Sequence, residues 1–177
     1  MVASFSLFFV IFRALHIIAG VLWVGSAFLF VGFIGPSAAE VGPSAGPLIA
    51  TLVKKRKVAK VITGLATVTV LAGWTLWLRD MSLYHGFHNW VTSRFGFVLS
   101  IGAVLATIAY FEGYFGIGRN VERLVDLGDE IAAGGGPPSA EQQTRMGHLQ
   151  AEMKKHGQTD LVLLLIAVFC MATARYW

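Results

Sequence analysis

Between Phe5 and Phe33 only Arg13 and His16 interrupt a run of apolar and small residues. Such a run has to be kept from water, and it exceeds the ~20 residues needed to cross a bilayer core. Composition decides that the run is surrounded by lipid: 55% of the 177 residues are hydrophobic and 14% charged, whereas soluble domains carry about 25% charged residues. No basic region precedes the run and no clear small-residue cleavage site ends it, so it reads as a retained helix and not a removed leader. It is long enough to require tilt, and Gly35-Pro36 is expected to stop it. Residues 58–78 and 95–117 meet the same length test, and residues 160–176 form a shorter fourth span. Trp74, Trp77 and Arg79 close the second, and Arg175, Tyr176 and Trp177 close the fourth, as aromatic and basic residues do at a membrane surface. No segment alternates with the period of a barrel strand. The expected fold is all-α: an integral membrane four-helix bundle in the lipid bilayer, a single transmembrane domain over residues 1–177.

Lysine and arginine orient it. Lys54, Lys55, Arg56, Lys57 and Lys60 lie in the first connection, and Arg119, Arg123, Arg145, Lys154 and Lys155 in the third; the second has only Arg79 and Arg94. The bias of positive charge toward the cytoplasm puts the odd connections inside and both termini outward. Residues 45–60 mix apolar and basic side chains and are expected to lie as a helix at the inner leaflet. The cytoplasmic loop, residues 118–159, reads as helical from Asn120 to Ala133 and is then broken by Gly134-Gly135-Gly136-Pro137-Pro138. Ser139 and Gln142 have the spacing of a capping box opening a second helix. The loop is thus a helical hairpin or a flexible segment. The net charge of +4 sits at the ends of apolar segments, which argues against a nucleic-acid partner. Cys170 stands alone, excluding an intrachain disulfide and a cysteine cluster. The glycine-rich helices suit either a homo-oligomer or packing inside one bundle.

Polar residues placed within these helices carry the chemistry. His16, Gly20, Trp23 and Ala27 recur at helical spacing on one face. One reading makes His16 a ligand, with Gly20 leaving room for a flat macrocycle and Trp23 forming a wall. The other makes the face a packing surface, where His16 hydrogen-bonds a neighbouring helix and Gly20 lets backbones approach. Haem b would take His16 as axial ligand, with His85, His88 or Met171 as a second and Arg13 on a propionate. Copper would use Met81, His85 and His88 in the outer connection, with His16 as a further imidazole donor, since Cu(I) favours thioether with imidazole. On this topology every such group except His148 and His156 lies on the outer side. Glu112 either relays protons or pairs with a cationic group within the span, or the span ends near Tyr110 and Glu112 sits in the interface. No nucleophile–base pair or carboxylate dyad indicates hydrolysis.

The stretch from Leu15 to Gly25, with its histidine followed seven residues later by tryptophan and then glycine, resembles the first-helix motif of a group of small four-helix bacterial membrane proteins. Arg94-Phe95-Gly96, Ile101-Gly102-Ala103 and the closing Met171-Ala172-Thr173-Ala174-Arg175-Tyr176 resemble later helices of uncharacterised relatives in that group. The group includes the CopD-type copper-resistance domain, the HemJ-type protoporphyrinogen oxidase and the membrane domain of membrane-bound urate oxidases. The resemblance covers the four spans and not most of the third connection. It implies a bacterial cytoplasmic (inner) membrane location and, from the HemJ-type enzymes, haem binding at His16. Those enzymes use a lysine where this chain has Arg94, which argues against their reaction. The CopD-type group implies copper passage but has a longer multi-helix architecture, and the urate oxidases add a cytochrome c domain that this sequence lacks. The leading expectation is therefore a haem b protein in redox or electron transfer, passing electrons to a quinone or a partner membrane complex. Copper transport or resistance comes second, and a structural subunit of a larger complex without cofactor third.

Overall fold

The computed structural model describes residues 7–177, apart from the side chain of Pro43. Among these residues there is no strand, and four helices are long and apolar enough to cross a membrane: α1 (Leu7–Val41), α2 (Val58–Leu83), α4 (Arg94–Ala133) and α5 (Ala140–Tyr176). A short helix, α3 (Phe87–Thr92), joins α2 to α4. The expected start at Phe5 lies outside the described residues. Neighbours in sequence are neighbours in space: α1 packs along α2, α2 along α4 and α4 along α5, with α5 returning to α1. At one end of the bundle Arg79 sits over the ring of Phe9, and Arg94 and Trp177 line one groove. At the other end Lys54 pairs with Asp129.

The helices run further than the apolar spans. Gly35-Pro36 does not end α1, which continues to Val41. The turn before the proline widens, Gly35 N–H donating to the Phe30 carbonyl five residues back, and Pro36 falls in the first turn of the following α-helical segment. There its missing N–H costs little. Residues 45–60 are not one helix: short helical turns, among them Gly46–Ala50 and Thr51–Lys55, lead into α2. In α4 the membrane helix and the expected 120–133 helix are one rod, joined through a widened stretch at Glu112–Gly118. The third connection is a helical hairpin. Its second arm opens on the capping box: Ser139 Oγ accepts from Gln142 N–H at 3.2 Å, and Gln142 Oε1 accepts from Ser139 N–H at 3.0 Å.

Each long helix contributes one residue to a central layer of Trp23, Ala66, Ala109 and Leu164, all at least 96% buried. Two alanines opposite a tryptophan let the backbones close around the indole. The α2–α4 seam is laced by side-chain hydrogen bonds. Trp74 Nε1 donates to Thr107 Oγ1 at 3.0 Å and Trp77 Nε1 to Ser100 Oγ at 2.9 Å, and the hydroxyls of Thr67 and Tyr110 are hydrogen-bonded at 3.2 Å. Bonds of this kind are worth roughly 0.6 kcal/mol each in a membrane. Ile17, Ile18, Val21, Leu71, Val104 and Ile166 face outward, an apolar perimeter suited to lipid.

Near Trp177 an aromatic cap closes the bundle: Trp90, fully buried, meets Trp77, Tyr84 and Phe95 edge to face. Gly96 makes that closure possible, because a Cβ there would stand 2.1 Å from the Trp90 carbonyl oxygen. A Cβ at Gly25 would meet nothing within 4 Å. Gly96→Ala is therefore expected to lower unfolding free energy by about 1–3 kcal/mol, the usual range for overpacking, while Gly25→Ala leaves it unchanged or raises it by up to ~1 kcal/mol through helix propensity. Denaturant unfolding in detergent micelles checks both.

Candidate functional site

His16 lies in the α1–α2 seam, partly buried. Its Nδ1 donates to the backbone carbonyl of Thr69 at 2.8 Å. In a neutral imidazole, that bond puts the proton on Nδ1 and leaves the lone pair on Nε2. The approach depends on Gly73, where a Cβ would stand 2.8 Å from His16 Cε1 and 3.0 Å from Nδ1. Gly20 faces the same helix, with Thr69 Cγ2 3.3 Å from the position of a Cβ. His16, Gly20 and Trp23 thus share one face, as their spacing requires, and that face is closed against α2. The room expected beside Gly20 is occupied by Thr69, and Trp23 stands in the central layer instead of walling an open slot.

The other proposed ligands are dispersed. Arg13 is exposed, and with Arg79 it is one of the two cations acting on Asp80; Arg79 stands 3.6 Å from that carboxylate. Met171 belongs to the α4–α5 seam, its Cγ 3.1 Å from a Cβ placed on Gly102. Met81 is near the end of α2, His85 occupies the left-handed turn that follows at φ 60°, and His88 is in α3. Both of these histidines are exposed. Among the described residues no three His, Cys, Asp or Glu side chains gather as a metal site.

A second polar centre lies at the hairpin end of the bundle. His156 Nδ1 and Glu112 Oε2 are 3.0 Å apart, each side chain 31% exposed. One turn along α5 from His156, Asp160 is 4% exposed, and its Oδ1 is buried without a hydrogen-bond partner. Two glycines of the widened stretch make room. A Cβ on Gly116 would come within 2.7 Å of His156 Nδ1, and one on Gly113 would stand 3.9 Å from Asp160 Oδ1. Sequence reasoning singled out Glu112 but missed its partners. The signal was His156 and Asp160 four residues apart, immediately before the apolar run that starts at Leu161, with Gly113 and Gly116 following Glu112.

Compared with protein-family models, curated proteins and solved structures, the chain shows no match.

Because Gly73 carries the imidazole to the backbone, Gly73→Ala is expected to displace the ring. Nitrogen NMR of histidine-labelled, haem-free protein should show an Nδ1–H tautomer at His16 in the parent chain and lose that signature in the variant. An unchanged His16 signal in Gly73→Ala would refute the contact.

Proposed function

We propose that the chain is a multi-pass membrane protein that binds haem b through His16 and serves redox or electron transfer, with a quinone or a partner membrane complex as its exchange partner. The supporting observation is the bond from His16 Nδ1 to the Thr69 carbonyl at 2.8 Å. Metal-ligating histidines commonly donate their other ring N–H to a carbonyl or carboxylate, which fixes the tautomer and raises the basicity of the ligating nitrogen. The donor chemistry at His16 therefore fits a single axial ligand. When bound, haem supplies one-electron redox chemistry. The chain's own contribution would be to leave the Nε2 lone pair unbonded, to hold the ring over Gly73 and to offer Arg13, one turn earlier on α1, as a cation for a propionate. Met171 lies in the other seam, so this reading takes His16 alone from the α1–α2 side.

The orientation belongs to the same proposal. Lys54 to Lys57 and the hairpin share one end of the bundle, linked by Lys54 and Asp129. Positive charge on the cytoplasmic side then assigns that end to the interior, in a bacterial inner membrane. His16, nearer the Phe9 end, falls in the outer half.

Optical spectroscopy tests the cofactor. Protein purified from haem-replete cells is expected to show reduced-minus-oxidised Soret and α bands, lost in His16→Ala and retained in Thr69→Ala, which keeps the backbone carbonyl. A bandless parent protein would refute haem and leave His16 as a packing residue. Copper in that preparation, diminished by substitution of Met81, His85 and His88, would favour copper handling instead.

A further inference from the structure

The Glu112–His156–Asp160 cluster has no part in haem binding, and its geometry is graded. Glu112 and His156 are each about one-third exposed and in contact at 3.0 Å, whereas Asp160 is nine-tenths or more buried. The unpartnered Oδ1 of Asp160 is directed toward Gly113, next to Glu112 in α4. An ionised carboxylate buried without a partner is costly, and intramembrane carboxylates call for a functional account. The widened helical turn beneath them is a feature common at functional sites.

We propose that these three residues form a proton-loading site: Asp160 is the buried group that takes up and releases a proton, and the Glu112–His156 pair is its entrance from water at the hairpin end. One proton enters at the partly exposed pair and neutralises the Asp160 carboxylate; it leaves by the same route, with no electron transferred. His156 and Asp160, four residues apart on α5, share a helix face, so the entrance and the buried acid are adjacent. Gly116 lets the imidazole lie against α4, and Gly113 keeps the space before Asp160 free of a side chain.

On α4, Asn120 Nδ2 donates to the Gly116 carbonyl at 2.8 Å and reaches Glu152 Oε2 at 3.5 Å, while Arg123 reaches Asn120 Oδ1 at 3.5 Å. On α5, His148 stands 3.9 Å from Glu152, toward the hairpin tip. From α1 the nearby group is apolar, Val31 packing 3.1 Å from a Cβ placed on Gly157. Glu112 is the charged group that acts on Asp160, His156 stands one turn before Asp160 on α5, and Arg119 lies over the Phe115 ring.

Infrared difference spectroscopy of the full chain in lipid nanodiscs tests the site. Acidification should produce a carboxylic C=O band that is absent in Asp160→Asn. After a rapid pH jump, that band should rise at least about tenfold more slowly in Glu112→Gln and in His156→Gln, as expected when a proton-transfer group is removed. Labelling the parent chain with carbon-13 aspartate should shift the band, a readout that does not depend on Asp160→Asn folding. The proposal is overturned by a band that survives Asp160→Asn, by a band that ignores the aspartate label, or by unchanged filling rates in both entrance variants. None of these outcomes depends on whether haem is bound.

Discussion

In hydrocarbon there is no water to satisfy a peptide N–H or carbonyl, so the backbone of a spanning segment has to bond to itself. The rest of this structure follows from that constraint. At Gly35-Pro36, where a soluble helix would readily stop, the chain instead widens one turn and continues to Val41. At Glu112–Gly118, rich in glycine and therefore weak in helix propensity, it does the same and keeps α4 unbroken. Both irregularities preserve backbone bonding while changing which side chains face the neighbouring helix.

Lipid supplies little apolar driving force for helices to associate, so close approach and polar contacts hold the bundle together. The central layer achieves approach with Ala66 and Ala109 against Trp23 and Leu164. The α2–α4 seam uses hydroxyls: Thr107 and Ser100 accept from Trp74 and Trp77, turning aromatic residues that also suit a membrane surface into interhelical ties. His16 follows the same pattern in the α1–α2 seam, donating to the Thr69 carbonyl with Gly73 as its floor. One arrangement thus both holds two helices together and leaves a ring nitrogen with a lone pair.

The helical, membrane-spanning class was legible because hydropathy and length report directly on lipid. The Ser139–Gln142 cap was legible because it is a local contact across one turn. Two boundaries were not. Pro36 marks a break only if the preceding register is fixed, and the five-residue turn that absorbs it depends on the bundle around it. The continuity of α4 was hidden by the glycines at 113, 116 and 118, which resemble a loop in one dimension and provide an approach surface in three. At the sites, helical spacing put His16, Gly20 and Trp23 on one face but could not say what stood opposite; Gly73 and the Thr69 carbonyl are partners more than fifty residues away. Asp160 was obscured for a different reason. It stands at the edge of an apolar run, where a carboxylate ordinarily meets water, and the packing of neighbouring helices against α5 buries it.

The unbroken passage of α4 and α5 from the apolar layer into the hairpin has a mechanical consequence. The two arms are levers whose stiff shafts end in the membrane, and Lys54 holds one of them near its tip through Asp129. A force applied at Gly134 to Pro138 has an unbroken helical path to the widened stretch of α4 that carries Glu112. The tip and the α4–α5 contact at that depth are thereby joined by continuous backbone.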